Sequence, residues 1–254
     1  MGLKVIISGA SSGIGKALAE EYSRKGATVG LIARRRDILE KLKKSLPVES
    51  HIYSIDVNDV KACQAMAKHF IHNVGIPDII IANAGISHGT LTEHGDDLET
   101  FKKIVQTNLF GMVNLFQPFV GSLKSQNKGS LVGISSVAGI RGLPGASAYS
   151  CSKAAVSNYL EALRIEVAEF KISVTNIAPG YIYSEMTQAN PYPMPFIMDT
   201  NNAAKKMIQA IHFKKKFVII PWQMAIVGKI MQFLPNFIWD QLAKNGPRKP
   251  RKSN

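Results

Sequence analysis

Leu3-Lys4-Val5-Ile6-Ile7-Ser8-Gly9-Ala10-Ser11-Ser12-Gly13-Ile14-Gly15 joins a short apolar run to a cluster of glycines, and a helical pattern follows at once. An apolar run of this length bounded by turn residues reads as a buried strand. The same unit recurs outward along the chain. Further strand candidates lie at residues 28–33, 50–55, 79–83, 130–135, 173–178 and 217–220, several of them nearly continuous Val, Ile and Leu. Such runs suit parallel strands covered on both faces. Stretches 15–25, 37–46, 60–74, 98–123 and 148–170 have helical period and length. Strand–helix alternation of this kind predicts an α/β fold, a doubly wound parallel sheet in one domain. No repeat of solenoid period interrupts it.

The glycines between the first strand and first helix have a chemical reading. A chain that turns tightly there brings its backbone close to a bound group, and the helix N-terminus presents free N–H groups and the positive end of its dipole. A pyrophosphate is the natural occupant. The spacing is G-x-x-x-G-x-G, which differs from the commoner G-x-G-x-x-G dinucleotide fingerprint. Cofactor choice depends on the end of the second strand. An acid there binds a ribose 2′-hydroxyl, whereas Arg accommodates a 2′-phosphate. The chain has Ala33-Arg34-Arg35-Arg36 with no acid before Asp37, which favours NADP(H) over NAD(H).

Tyr149 and Lys153 stand four residues apart, with Ser136 upstream. On a helix these positions share a face. A neighbouring ammonium favours a phenolate, and a free tyrosine near pH 10 needs such help to act as a base at neutral pH. Spacing alone is weak, since most Tyr/Lys neighbours at this distance do nothing. The glycine turn in the same chain gives the pair a cofactor to work beside.

Taken together, these residues resemble the short-chain dehydrogenase/reductase superfamily, in its single-domain branch. The resemblance rests on Gly9, Gly13 and Gly15, Asp56-Val57, Asn83-Ala84-Gly85, Asn108, Ser136, Tyr149-x-x-x-Lys153 and Pro179-Gly180, in the family's order and spacing from residue 4 to about 221. It implies a seven-stranded Rossmann-type sheet with cofactor and substrate at the carboxyl ends of the strands. It implies that Tyr149 protonates the carbonyl oxygen in reduction, that Lys153 lowers the Tyr149 pKa and binds the nicotinamide ribose, and that Ser136 orients the substrate oxygen, with Ser135 as fallback. Asn108 would hold a water linking Lys153 to solvent. Gly9, Ser11, Ser12, Gly13, Ile14 and Gly15 would cradle the pyrophosphate, with Arg34 and Arg35 at the 2′-phosphate. Asp56 and Val57 would meet the adenine, and Asn83, Ala84 and Gly85 would wall its ribose side. Pro179, Gly180, Ile182 and Ser184 would complete the nicotinamide end. The family often has Thr where this chain has Ser184; a hydroxyl remains. No metal is expected. The implied reaction is NADPH-dependent reduction of a ketone or aldehyde, and a homodimer or homotetramer is implied as well. The alternatives are a cofactor-binding regulator with little turnover, whose signature would be a damaged catalytic set where this set is intact, and a peripheral membrane protein whose C-terminal surface is its main function.

At 254 residues, with 46% hydrophobic and 19% charged, the chain has material for a sizeable core. Its two cysteines, Cys63 and Cys151, offer no disulfide framework, and no signal peptide is visible, so a cytoplasmic setting is expected. The net charge of +13 is uneven: residues 203–254 carry eleven Lys and Arg against Asp240 alone. The resemblance implies that residues 181–200 form a lid over the substrate; Pro191, Pro193 and Pro195 forbid a regular helix there, and Tyr181, Tyr183, Tyr192, Met194, Phe196 and Met198 either present an apolar face to an apolar carbonyl substrate or pack into the core. Beyond a catalytic domain at 1–221, residues 222–245 form an apolar helical extension too broken to span a bilayer. It either lies on an anionic membrane surface, with the basic segment behind it, or caps the pocket or a subunit interface. Residues 246–254 read as a basic, disordered tail. No nucleic-acid recognition module is present.

Overall fold

A computed structural model describes residues 2–188 and 190–251. Seven strands form one fully parallel sheet in the order β3-β2-β1-β4-β5-β6-β7. They are β1 (Lys4–Ser8), β2 (Thr28–Ala33), β3 (Ser50–Ser54), β4 (Ile79–Ala82), β5 (Gly129–Ile134), β6 (Ile172–Pro179) and β7 (Phe217–Ile220). Strand alternation divides the core into two layers. Val5, Ile7, Val29 and Leu31 face Leu18, Leu39, Met207 and Ile211. Ile6, Ile80 and Leu131 face Phe70, Phe116, Phe119 and Leu160 on the other side. The first layer is covered by α1 (Gly13–Arg24), α2 (Arg36–Ser45) and α8 (Thr200–His212), the second by α3 (Val60–Asn73), α5 (Gly111–Ser125) and α6 (Ser147–Glu166). This is the Rossmann-type architecture implied by the sequence.

The strand order reverses between β1 and β4, and at such a switch point the connections leave in opposite directions and open a crevice at the carboxyl ends. The sheet therefore places its ligand cleft beside Gly9 and Asn83.

Two elements depart from expectation. The single helix expected at 98–123 is α4 (Asp97–Val105) and α5, joined by a π-helical segment at Gln106–Phe110. Such bulges insert an extra residue and re-aim its side chain. The helix α8 was not singled out in the sequence.

The extension folds as α9 (Trp222–Phe233) and α10 (Asn236–Ala243). The tail then departs from the expected disorder, because Gly246–Arg251 runs back along the domain. Gly89 N–H donates to the Pro250 carbonyl at 2.8 Å, and Arg251 Nε donates to Asp97 Oδ2 at 2.8 Å. Asp97 is buried, also accepts from the Leu91 amide, and is held below the usual carboxylate range by the Arg251 hydrogen bond first and the Leu91 amide second. Composition predicts a solvated segment here, but this acid fixes the end of it. Residues 252–254 of the expected tail lie outside the described residues.

Candidate active site

The glycine turn is built by close backbone approach. Gly9 and Gly13 have φ of +68° and +52°, which favour glycine. Gly15 is excluded from carrying a side chain for another reason: a Cβ would lie 2.2 Å from the Gly9 carbonyl oxygen and 2.6 Å from Asn83 Nδ2. Asn83 ties this region to β1, its Nδ2 donating to the Ser8 carbonyl at 3.0 Å. Ser8 Oγ accepts from the Asn83 and Ala84 amides at 3.0 and 3.1 Å. Ser12 precedes α1 with no side-chain cap, so the N–H groups of the first turn remain available to an anion.

A cleft of about 480 Å³ runs from this turn across the carboxyl ends of the strands. Of the residues expected to bind cofactor, Gly9, Ser11–Ile14, Arg34, Arg35, Asp56, Val57, Asn83–Gly85, Tyr149, Lys153, Pro179, Gly180, Ile182 and Ser184 all line it. Gly15 does not. It acts behind the wall, letting α1 sit against β1. The absence of a Cβ at Gly9 and Gly15, the uncapped helix and the two arginines fit an extended dinucleotide with phosphates at the α1 end.

At the second strand, Arg35 lies across the turn, its Nε and a terminal nitrogen donating to Ser11 Oγ at 3.3 and 3.1 Å. It also pairs with Glu185 at 3.4 Å. Arg34 is exposed and stands 3.8 Å from Asp56 Oδ2. Arg36 turns away into an i, i+4 pair with Glu40 at 2.8 Å. Asp56 is therefore shared: its Oδ1 accepts from the Asn58 amide at 2.9 Å while the other oxygen faces Arg34.

At the other end α6 presents Tyr149 and Lys153 on one face. The buried Lys153 Nζ donates to the Ile134 carbonyl at 2.8 Å and lies 5.7 Å from the Tyr149 ring centroid. Loss of water lowers its pKa to about 8. Burial raises the Tyr149 phenol, and its hydrogen bond with the Ser136 hydroxyl pulls the other way. In this structure desolvation dominates at Tyr149, and the hydroxyl that opposes it comes from Ser136.

Between the candidates Ser135 and Ser136, the hydrogen bonds discriminate. Ser135 Oγ is buried and donates to Asn176 Oδ1 at 2.5 Å, finishing the edge between β5 and β6. Ser136 Oγ accepts from the Ala138 amide, donates to the Pro179 carbonyl and reaches Tyr149. Asn108, fully buried in the π-helical segment, accepts from the Ile86 amide at 2.8 Å and donates to Ser152 Oγ at 2.9 Å. Ser152 in turn donates to the Tyr149 carbonyl at 2.8 Å. Asn108 thus fixes the loop after β4 against the helix that carries Tyr149. A Cβ on Gly85 would approach both Asn108 Oδ1 and Lys153 Nζ, at 3.1 and 3.6 Å.

A second cavity of about 380 Å³ adjoins the cleft, sharing Ser136, Tyr149, Gly180, Met186 and Thr187. Its other walls come from the lid (Tyr181, Tyr192, Pro195) and from the extension (Met224, Val227, Met231, Trp239). The extension therefore caps this pocket. The lid contributes less than expected: Tyr183 and Phe196 point outward, and Met198 packs on the core. Met194 accepts from Asn190 Nδ2 at 3.4 Å and does not line the cavity. Thr187 was missed in the sequence. Its hydroxyl bonds the Ile182 and Ser184 carbonyls from α7 (Glu185–Gln188) and lies 3.3 Å from Ser184 Oγ, drawing the Ser184 hydroxyl into a local turn. Among the described residues no cluster of three metal-ligating side chains occurs.

The sequence profile described as short chain dehydrogenase matches residues 4–193. An uncharacterized oxidoreductase of Myxococcus xanthus is 34% identical over 242 residues, covering 94% of this chain and 95% of the relative. The Bos taurus dehydrogenase/reductase SDR family member 7B is 30% identical, with 98% and 82% covered. A short-chain dehydrogenase structure from Streptomyces avermitilis superposes with a TM-score of 0.81 over 96% of both chains at 23% identity, a likeness of fold. The chain belongs to the short-chain dehydrogenase/reductase family. It is an oxidoreductase of that family, whose members use NAD(P) and act on small molecules.

The glycine geometry has a direct consequence. Gly15→Ala forces the backbone of α1 off β1 and is expected to cost about 1–3 kcal/mol, the range for overpacking, read as a lower midpoint in urea unfolding. Gly121→Ala, inside α5 where a Cβ meets nothing within 4 Å, is expected to hold that midpoint or raise it, since Ala favours a helix over Gly by about 0.5–1 kcal/mol.

Proposed function

We propose that this chain is an NADPH-dependent carbonyl reductase acting on an apolar ketone or aldehyde. The observation that carries the reading is the junction of the two cavities, where Ser136 and Tyr149 belong to both. A carbonyl held there meets the dinucleotide cleft on one side and an apolar chamber on the other.

When bound, the reduced nicotinamide supplies the hydride. The protein's own work is positioning and proton delivery. Ser136 Oγ orients the substrate oxygen against the Tyr149 phenol. Because burial keeps Tyr149 protonated at neutral pH, the phenol is ready to donate as the oxygen gains charge. Lys153, still mostly an ammonium below its pKa of about 8, stabilises the phenolate left behind. Its bond to the Ile134 carbonyl and the Asn108–Ser152 contacts hold α6 in register for this exchange. Met224, Met231 and Trp239 favour an apolar substrate body over a polar sugar.

Preference for NADPH rests on Arg34 and Arg35 beside a second strand that ends without an acid. A 2′-phosphate fits two guanidinium groups on one side of the cleft.

A second surface supports peripheral membrane contact. Trp222, Ile226, Ile230, Phe233 and Phe237 are exposed on the outward side of α9 and α10, Phe233 at 80%. Lys229 and the basic charge of the last fifth of the chain accompany them, a combination suited to an anionic bilayer surface. No helix among the described residues is long and apolar enough to cross a membrane.

Tyr149→Phe is expected to lower ketone-dependent NADPH oxidation by about 100- to 10,000-fold, the span of general acid catalysis; unchanged turnover overturns the mechanism. With rising pH the Lys153 charge is lost, so kcat/KM for reduction should stay level below pH 8 and fall above it. Arg34→Asp should weaken NADPH on the order of tenfold or more relative to NADH, and an unchanged ratio removes the NADPH assignment. Vesicles of anionic phospholipid should sediment the full chain but release a Phe233→Ser/Phe237→Ser variant. Equal partitioning, or self-association that masks this face in gel filtration, rejects the bilayer.

A further inference from the structure

The ordered tail brings one cation into a chamber that is otherwise uncharged and largely apolar. Lys249 lines the cavity beside Tyr149, and among the described lining residues it is the sole charged side chain, with no Asp or Glu opposite. Its Nζ donates to the Met186 carbonyl at a long 3.4 Å, and it takes part in none of the ion pairs among the described residues. Burial lowers its pKa to about 8, with no neighbouring charge contributing. An ammonium partly withdrawn from water that has gained only a weak carbonyl contact lacks a counter-ion.

The placement of Lys249 is built. On its N-terminal side Arg248 packs over Gly145, where a Cβ would lie 3.0 Å from the Arg248 side chain. On the other side the Pro250 carbonyl is bonded by Gly89, and Arg251 is bonded to buried Asp97. Gly89 has no room for a side chain under the tail, since a Cβ would sit 2.2 Å from the Lys249 carbonyl oxygen. Both flanks being fixed, the lysine is directed across the chamber mouth toward α7.

We propose that Lys249 binds an anionic group at the end of the substrate remote from its carbonyl, so that the substrate class is an apolar chain carrying a carbonyl and a carboxylate or similar anion. This rests on the chamber being the substrate site of the carbonyl reductase proposed above. Tyr149 and Ser136 would hold the carbonyl, the methionines and Trp239 the chain, and Lys249 the anion. One cation in a low-dielectric chamber discriminates strongly, because a neutral chain leaves it unpaired.

Binding of decanoate and decanol, measured by calorimetry on the full chain, tests this without requiring turnover. The parent should bind decanoate on the order of tenfold or more tighter than decanol. Lys249→Met should collapse that ratio toward one, and Lys249→Arg, which keeps the charge, should retain most of it. A parent with no carboxylate preference, or a preference that survives Lys249→Met, overturns the proposal. Loss of the preference in Lys249→Arg as well as Lys249→Met, with the NADPH affinity of both intact, also overturns it, because charge would then not be the cause. If ketones are not reduced but the ratio behaves as stated, carbonyl reduction fails and the anion site stands.

Discussion

The close approach of α1 to the end of β1 is the constraint from which the site follows. The Gly9 carbonyl and the Gly15 Cα are near enough that any side chain at residue 15 would overlap them. That contact aims the N-terminus of α1 into the crevice left by the strand reversal between β1 and β4. Asn83, at the end of β4, completes it by bonding the Ser8 carbonyl. One side chain thus holds both strands at the switch point. The phosphate end of the cleft is consequently made of backbone and needs little side-chain chemistry.

The opposite end of the cleft works by enclosure. Lys153 and Asn108 are buried polar groups, and buried polar groups are costly unless bonded. Lys153 meets the Ile134 carbonyl; Asn108 meets both backbone groups of Ile86 and the Ser152 hydroxyl. The π-helical segment makes the Asn108 contacts geometrically accessible, since a regular helix would carry that residue to a different angle. Desolvation pushes Lys153 down and Tyr149 up, so burial favours the neutral form of each and their two pKa values move apart.

Much of this was readable in the sequence, for physical reasons. Buried parallel strands leave continuous apolar runs, and a backbone turn against α1 demands glycines at fixed spacing; hence β1, β2 and the Gly9–Gly15 turn could be placed before any coordinates. The i, i+4 spacing of Tyr149 and Lys153 likewise survives folding because helix geometry is local. What escaped depends on contacts distant in sequence. The buried Asp97 holds Arg251 from 154 residues away, so composition alone made residues 246–251 look solvated. The π-helical segment leaves no periodic signature, because one inserted residue is invisible beside two regular helices. Side-chain direction in the lid was equally hidden: prolines exclude a helix there, yet they do not say that Tyr192 turns in while Tyr183 and Phe196 turn out.

The division between readable and hidden parts follows the division of chemical labour. Hydride transfer needs a cofactor cradle and a proton donor, and these sit on the local elements that a sequence reveals. The cavity beside Tyr149 is walled by the lid, α9, α10 and the returning tail, which meet only in three dimensions. The tail also links this cavity to folding: Arg251 is held by the first turn of α4, whose continuation carries Asn108. Displacing the tail would therefore remove a wall of the chamber and loosen the helix entering the catalytic side. A chamber closed by this C-terminal segment ties its shape to the packing of that segment, while Tyr149 is anchored independently through Ser136.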